Sequence, residues 1–231
     1  MISPPILIET DIQFPDEGPL YEPKTTDGLC FIGGNLLPEN LLRAYRNGVF
    51  PWSVNPVTWW SPTRRAIFEF DKIRPPRRLS QLIRQKKFKV TFDTCFTRVM
   101  EECATLTMKR HETWISESFI DAYSKLHVMG ISHSCEVWLE GVLVGGIYGV
   151  SIGGLFAGES MFSRANNASS VGLFHLFEYL RAHGFTLFDT QVMNPHTQKI
   201  GAIEISRTEY LTLLKSALEA NCSPPIHTPW T

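Results

Sequence analysis

Asp189 and Gln191 are the first candidates for chemistry, because they lie two residues apart in a segment, residues 186–191, that is predicted to form a strand. Side chains two residues apart on a strand project from one face of the sheet. A carboxylate beside a carboxamide is a poor nucleophile, but it can orient the amide so that the amide oxygen accepts a proton or a hydrogen bond from an amine. The alternative interpretation is a pair at a strand end that satisfies nearby loop backbone.

Glu159 is the third candidate, since it lies inside an otherwise apolar predicted strand, residues 155–162. A buried carboxylate without a partner is costly, so Glu159 either faces a pocket or has a structural partner. The sequence leaves both interpretations open.

Four tryptophans, Trp52, Trp59, Trp60 and Trp114, lie in or near segments that are predicted to be loops. Aromatic rings in loops can stack on a nucleic-acid base. The alternative, which is commoner for any single tryptophan, is that the ring packs over the edge of a core. The histidines show no zinc-ligand spacing such as H-E-x-x-H, so no metal site is predicted from them.

Composition and cysteine spacing bound the class of protein. The 231 residues are 43% hydrophobic and 19% charged, which is typical of a globular chain with one large domain or two small ones. No apolar run approaches the length of a membrane span, and the N-terminus lacks the pattern of a secretion signal. The five cysteines are scattered without a C-x-x-C pair. We therefore predict no membrane association, no disulfide framework, and a cytoplasmic location.

The N-terminal part is predicted to be irregular. Its first two dozen or so residues are rich in proline and indicate an extended arm. Residues 38–47 are predicted to form a helix that begins at a proline and ends before Gly48. The aromatic, proline-broken segment at residues 49–62 is predicted to be a loop.

The elements that must position the candidate residues follow the order helix, three-stranded antiparallel meander, helix, strand, helix. They are predicted as a helix ended by Gly130, strands at 137–139, 142–150 and 155–162, a helix from Ser169 or Ser170 to Gly184, a strand at 186–191, and a helix opened by a Ser206–Glu209 capping box. This order is that of the acyltransferase fold known from the acetyl-CoA N-acetyltransferases. We predict an α+β protein in which a small N-terminal α/β domain, residues 1–65, packs on an acetyltransferase-like domain, residues 66–231, that contains the antiparallel meander.

The segment before the helix that follows the meander argues against CoA. Acetyltransferases of this fold carry a glycine-rich pyrophosphate loop there, whereas residues 162–168 contain no glycine. Backbone amides approach a pyrophosphate closely only where side chains are absent. We predict that no cofactor is used and that the donor reaches the site by other means.

A basic segment at residues 72–89 stands out from the rest of the chain. It carries eight of the 22 lysines and arginines and has no acid between Asp71 and Asp93. The other 14 basic residues face 23 acids, so the formal charge outside the segment is about -9. A basic stripe on an acidic body predicts a polyanionic partner that docks at one place. The alternative is a solvated helix face.

Several motifs together resemble the leucyl/phenylalanyl-tRNA–protein transferase family. The resemblance covers nearly the whole chain in the right order. It rests on Asp27-Gly28-Leu29 with Gly33-Gly34, Tyr45-x-x-Gly48-x-Phe50-Pro51-Trp52, Trp59-Trp60-Ser61-Pro62, Thr113-Trp114-Ile115, Gly145-Gly146-x-Tyr148-Gly149-Val150, Gly158-Glu159-Ser160-Met161-Phe162-Ser163, and Asp189-x-Gln191 followed by His196 and Gly201-Ala202.

The resemblance implies an activity. Leucine or phenylalanine would pass from its tRNA to the N-terminal α-amine of a protein that begins with arginine or lysine, by aminolysis of the aminoacyl ester, and this would mark that protein for degradation. By the family's pattern Asp189 and Gln191 are the catalytic pair, with Glu159 beside them. Our hypothesis is that Asp189 orients and polarises Gln191, and that Glu159 reads the cationic side chain of the acceptor.

The resemblance also implies how the donor binds. Trp52 and Trp114 would contact the terminal adenosine, and Phe156, Met161 and Leu173 would line the pocket for the amino-acid side chain. The basic segment would hold the acceptor stem of the tRNA, mainly through phosphates. Its candidate residues are Arg74, Arg77, Arg78, Arg84, Lys86 and Lys87.

Two features leave alternatives open. Phe188 stands where the family typically has an aliphatic residue, so the sequence does not decide between leucine and phenylalanine. The competing functions are a CoA-dependent N-acetyltransferase, which the missing glycine loop opposes, and a non-catalytic RNA-binding module with a decayed acyltransferase core. The basic segment alone suits the second alternative equally well.

Overall fold

The computed structural model of the protein describes residues 6–70, 72–106 and 112–222. None of the described helices is long and apolar enough to cross a membrane. In chain order the elements are β1 (Ile6–Ile8), β2 (Leu29–Gly33), α1 (Pro38–Arg46), β3 (Phe50–Val54), β4 (Val57–Trp60), β5 (Arg64–Phe68), α2 (Arg77–Arg84), β6 (Lys89–Phe92), α3 (Phe96–Ala104), α4 (Glu117–Val128), β7 (Ser132–Leu139), β8 (Val142–Ile152), β9 (Leu155–Ser163), α5 (Ala168–Ala182), β10 (Leu187–Asp189), α6 (Pro195–Ile200), β11 (Ile203–Ser206) and α7 (Arg207–Glu219).

The N-terminal part contains a four-stranded sheet with the strand order β1-β2-β4-β3. The prediction of a loop at residues 49–62 is wrong, because β3 and β4 form an antiparallel hairpin there. Pro51 obscured the strand pattern, yet β3 is an edge strand, where a residue without a backbone donor is tolerated. The predicted extended arm contributes β1, which pairs in parallel with β2. The predicted helix is confirmed as α1.

The large sheet has the strand order β11-β5-β10-β9-β8-β7-β6. The predicted meander is confirmed, since β7, β8 and β9 pair antiparallel through turns at Glu140-Gly141 and Gly153-Gly154. Strand β7 begins at Ser132, earlier than predicted. The prediction missed its first residues because they are polar and do not show the apolar alternation of a strand. Strand β10 runs parallel to β9 and antiparallel to β5.

Strand β10 ends at Asp189, and the chain then turns sharply. The backbone of Gln191 has a φ of 56°, in the left-handed region. The prediction of a strand through residue 191 is therefore wrong, and Asp189 and Gln191 do not share a strand face. Helix α6 and strand β11 follow, both unpredicted. The predicted capping box of Ser206 and Glu209 forms at the start of α7.

A shared hydrophobic core joins the small sheet to the larger domain. Trp59 of β4 lies in it together with Val99 of α3, Phe119 of α4 and Phe162 of β9. A second core lies between α5 and the centre of the large sheet. The predicted α+β architecture, with a small N-terminal unit packed on a larger domain, is confirmed. The boundary after residue 65 stays a prediction; strand β5, which belongs to the large sheet, begins at Arg64.

Candidate active site

A cleft of about 1080 Å³ opens between β3 of the small sheet, β9, and the segment that runs from β10 into α6. It brings together side chains that are far apart in the sequence. Six of the predicted site residues line it, namely Trp52, Trp114, Glu159, Met161, Leu173 and Gln191.

A β-bulge places Glu159 in the cleft. Tyr148 of β8 pairs with Ser160, whereas the next residue, Gly149, pairs with Gly158, so Glu159 is an extra residue on β9. A bulge interrupts the alternation of side chains and redirects the one at the extra position. Glu159 consequently leaves the apolar pattern of its strand and is only partly buried.

The Glu159 carboxylate sits among hydroxyl and amide donors. Tyr45 of α1 donates its hydroxyl to Oε1 at 2.7 Å, and the side-chain amide of Gln191 donates to the same oxygen at 3.0 Å. The hydroxyl of Tyr123, on α4, lies 3.5 Å from Oε2 and 2.5 Å from the Tyr45 hydroxyl. Burial raises the pKa of Glu159 to about 8, although the hydrogen bond from Tyr45 stabilises the ionised carboxylate and so lowers the pKa. Glu159 thus has both a pocket and structural partners.

Asp189 is fully buried and bound by four donors. Arg65 of β5 donates to both carboxylate oxygens, at 2.9 Å to Oδ1 and 2.6 Å to Oδ2. The hydroxyl of Tyr210 donates to Oδ2 at 2.8 Å, and the backbone N–H of Gln191 donates to Oδ1 at 2.9 Å. Asp189 therefore holds the backbone of Gln191, whereas the side-chain amide of Gln191 is hydrogen-bonded to Glu159. The hypothesis that the carboxylate directly polarises the amide does not match this geometry.

Gln191 is fixed at both its backbone and its side chain. Besides the bond to Asp189, its carbonyl oxygen accepts the N–H of Ala66 at 3.0 Å. These two bonds hold a backbone conformation that residues other than glycine rarely adopt, as is common at functional sites. Because the side-chain nitrogen faces Glu159, the side-chain oxygen is left without a partner among the described residues. That oxygen can accept an N–H from an incoming amine.

The two candidate tryptophans lie at the cleft in different ways. Trp52 is the extra residue of a second bulge, in β3, and is 42% exposed, with its ring 5.7 Å from that of Trp60. Trp114 is partly buried and packs edge-on against Phe119 at 5.0 Å. Trp59, by contrast, is buried in the core and donates its indole N–H to the carbonyl of Gly33.

An apolar part of the cleft lies beyond Glu159. Met161 and Leu173 line it, together with Phe68 and Phe188, neither of which was predicted as a binding residue. Phe156 is not among the lining residues, since it is buried behind Phe188 with the two ring centres 5.2 Å apart. Phe156 can therefore support the wall of this pocket but does not form its surface.

The basic segment presents its cations to solvent. The six candidate residues of this segment are all exposed, and none forms an ion pair with another described residue. Leu79 anchors α2 in the second core. Ile73 lies close to Gly201, the residue that ends α6, so the segment begins beside an element whose residues line the cleft.

Sequence reasoning missed the residues that hold the site in place, namely Arg65, Tyr45, Tyr123 and Tyr210. Arg65 gave a weak signal, because a charged residue directly precedes the apolar run at 66–68. Tyr45 belongs to a motif of the family resemblance, but no role was implied for it. Tyr45 and Tyr123 each lie on a helix with an apolar face, where a tyrosine is ordinary, and their long-range contacts reveal what they hold.

Two amides at the start of α5 make hydrogen bonds within the protein: Ala168 donates to the carbonyl of Ala165, and Ser169 donates to the Ser163 hydroxyl. Within residues 6–70, 72–106 and 112–222, no group of three or more histidine, cysteine or carboxylate side chains is placed to hold a metal ion. The five cysteines all lie in the described residues, and none of them forms a disulfide.

Comparison with known proteins gives a consistent result. Family models described as leucyl/phenylalanyl-tRNA protein transferase and as its N-terminal domain match residues 67–215 and 34–63. The chain is 49% identical to the leucyl/phenylalanyl-tRNA–protein transferase of Pelodictyon phaeoclathratiforme over 184 residues, which are 78% of this chain and 95% of the relative. It is 42% identical to that of Cellvibrio japonicus over 226 residues, 96% of this chain and 95% of the relative.

A solved structure shares the fold. The crystal structure of FemX superimposes with a TM-score of 0.51 at 12% identity, over 63% of this chain and 60% of that one. This likeness concerns the fold alone and is consistent with the predicted acetyltransferase-like domain. On the family models and the sequence identities, the chain belongs to the leucyl/phenylalanyl-tRNA protein transferase family, a family of aminoacyltransferases.

Proposed function

We propose that the protein transfers leucine or phenylalanine from aminoacyl-tRNA to the N-terminal α-amine of proteins that begin with arginine or lysine, in the cytoplasm, and so marks them for degradation. The observation that carries this proposal is a single cleft in which the polar Gln191–Glu159 pair adjoins an apolar pocket and two tryptophans. The identity of the acceptors and their degradation rest on the family resemblance.

The donor would occupy the cleft through its aminoacyl adenosine. The apolar pocket beside Met161 and Leu173 suits a leucine or phenylalanine side chain, because its lining offers aliphatic and aromatic surface. The exposed ring of Trp52 can stack on the adenine, with Trp114 on the cleft wall. The basic segment would bind the phosphates of the acceptor stem with little reading of sequence.

The chemistry asks little of the enzyme beyond placement. An aminoacyl ester is already activated, and a terminal α-amine has a pKa of about 8, so a useful fraction of it is neutral. Holding amine and ester together and stabilising the tetrahedral oxyanion supply most of the rate increase. Gln191 would accept an N–H of the amine through its side-chain oxygen. Asp189 would not touch the substrate and would act indirectly, by fixing the backbone of Gln191.

A transfer assay tests the proposal. The protein is mixed with leucyl-tRNA or phenylalanyl-tRNA and a peptide that begins with arginine, and the peptide mass is followed. We expect a gain of one leucine or phenylalanine residue, and none with a peptide whose α-amine is acetylated. Gln191→Ala should slow single-turnover transfer far more than it weakens tRNA binding, because its side chain touches the reacting amine.

Gln198→Ala, on the exposed side of α6, is the matched control and should behave as wild type. Failure of the wild-type protein to modify any arginine or lysine peptide would contradict the proposal. Transfer of an acetyl group from acetyl-CoA would favour the N-acetyltransferase alternative. Binding of tRNA without transfer would favour the RNA-binding module.

A further inference from the structure

We propose that the Glu159 carboxylate is the general base of aminoacyl transfer, with Oε2 as the atom that takes the proton and with Tyr45 and Tyr123 as residues that position it. This inference rests on the proposed function, because it concerns the same cleft and the same reaction. It differs from the hypothesis that Glu159 reads the acceptor side chain.

The two carboxylate oxygens of Glu159 are not equivalent, because Oε1 accepts both the Tyr45 hydroxyl and the Gln191 amide. Each tyrosine hydroxyl has one proton to donate. Tyr123 lies 2.5 Å from the Tyr45 hydroxyl but 3.5 Å from Oε2, so its proton goes to the shorter contact when Tyr45 donates to Oε1, and Oε2 is left with a donor only at the long limit of a hydrogen bond. The lone pairs of Oε2 lie next to the amide that would hold the amine.

Glu159 is basic enough to take the proton of the amine, whereas Gln191 is not. An amide oxygen holds a proton far too weakly at neutral pH to act as a base, so Gln191 can orient the amine but cannot keep its proton. A base works best when its pKa lies near the operating pH. Burial raises the pKa of Glu159 to about 8, close to the value of about 8 for an α-amine. Burial also keeps both tyrosine hydroxyls protonated, by raising the pKa of Tyr45 and of Tyr123 well above the ordinary value.

Charged groups on the neighbouring elements do not disturb this assignment. Asp189 on β10 raises the pKa of Glu159 and Arg65 on β5 lowers it, and these two are paired with one another. Among the described residues, the carboxylate is hydrogen-bonded by the hydroxyls of Tyr45 and Tyr123 and by the neutral amide of Gln191. Glu102, Arg164 and His196 also line the cleft, and Glu102 and Arg164 are paired with each other.

The proton steps balance without any further reactant. The neutral amine attacks the ester carbonyl, and a C–N bond forms in a tetrahedral intermediate. The nitrogen then gives a proton to Oε2 of Glu159. The bond between the carbonyl carbon and the ribose oxygen breaks, and the protonated carboxyl group returns the proton to that oxygen. Glu159 ends the cycle ionised, as it began, and the Tyr123 oxygen can accept its O–H in between.

The pH dependence of kcat/KM for the acceptor peptide tests the proposal. Both the amine and Glu159 must be deprotonated, and both have pKa values of about 8, so log kcat/KM for wild type should rise with a slope approaching two below that pH. Glu159→Gln keeps the size of the side chain but cannot take a proton. We expect a loss of about 10²–10⁴-fold near pH 8 and a slope of about one, from the amine alone.

Tyr45→Phe provides a second test in case Glu159→Gln fails to fold. Tyr45→Phe removes a hydrogen bond that favours the ionised carboxylate, so the pKa of Glu159 rises further and the profile should move to higher pH. Tyr21 is another buried tyrosine; its hydroxyl donates to the Pro15 carbonyl, and it does not line the cleft, so the profile of Tyr21→Phe should match wild type.

Three results would overturn the assignment. These are a slope of two that survives in Glu159→Gln, a profile that Tyr45→Phe leaves unmoved, and a Glu159→Gln variant whose sole defect is a lost preference for cationic N-terminal residues. The last result would show that Glu159 reads the acceptor. If the wild-type protein transfers nothing, the proposed function fails first, and the general base falls with it.

Discussion

Asp189→Asn should destabilise the fold by about 3–5 kcal/mol, because it removes the charge that balances a buried guanidinium. Arg65 and Asp189 each have about 1% of their side chain exposed, and they make two hydrogen bonds to each other. Arg65 also packs its guanidinium over the ring of Tyr210 at 4.3 Å and over Phe50 at 4.9 Å, so it cannot swing out to water without breaking the core.

The magnitude follows from counting donors. Four donors point at the carboxylate, two at each oxygen. Asparagine keeps one oxygen and turns an NH₂ group toward two of these donors, so at least one N–H of Arg65 or the N–H of Gln191 loses its acceptor. A buried unsatisfied group costs about 1–3 kcal/mol, and the unpaired charge adds to it. Since a domain is stable by about 5–15 kcal/mol in total, the variant should fold but with a much reduced margin.

Urea unfolding followed by tryptophan fluorescence measures this loss, and the double variant Arg65→Met/Asp189→Leu is the matched test. The double variant removes the unpaired charge, so it should recover part of the stability lost by Asp189→Asn, although the N–H of Gln191, the Tyr210 hydroxyl and the Gly48 carbonyl still lose a partner. A loss below about 1 kcal/mol in Asp189→Asn, or a double variant no more stable than the single one, would refute this account of the pair.

Two further predictions concern the donor. Replacing Arg77, Arg78 and Lys87 by glutamine should weaken tRNA binding and lower the slope of log affinity against log salt by up to about 2.7, since each phosphate contact releases counterions; an unchanged salt slope would rule out phosphate contacts. Trp52→Ala should raise KM for the donor by the equivalent of about 1–3 kcal/mol, whereas Trp52→Phe should keep much of the stacking, and equal effects of both variants would argue against stacking. The matched control for the Arg77, Arg78 and Lys87 variant is replacement by glutamine of three exposed cations outside the basic segment, Arg46, Arg98 and Lys215.

The sequence predicts the meander well because both signals for it are local. Alternating apolar residues mark β8 and β9, and Glu140-Gly141 supplies two positive-φ residues for the turn between β7 and β8. The hairpin at β3 and β4 escapes prediction because its proline and tryptophans suit an edge strand and a loop equally well. Helix α6 escapes because six residues are too few to show helical periodicity.

The site is predicted as residue types but not as contacts. Glu159 draws attention because a carboxylate is costly in an apolar strand, and Asp189 because it adjoins Gln191. The partners that define their roles are remote in the chain: Arg65 lies 124 residues before Asp189, and Tyr45 lies 114 residues before Glu159. No local pattern encodes such pairs. The bulge that re-aims Glu159 is also invisible locally, since it arises from the register between β8 and β9.

The position of the new bond on the acceptor tests the central claim most directly. A peptide that begins with lysine offers both an α-amine and an ε-amine, and fragmentation of the product in a mass spectrometer shows which one carries the added residue. With leucyl-tRNA or phenylalanyl-tRNA as donor, the account predicts one added leucine or phenylalanine, on the α-amine, with the yield abolished in Gln191→Ala. Addition to the ε-amine, or no addition to any peptide, would contradict it.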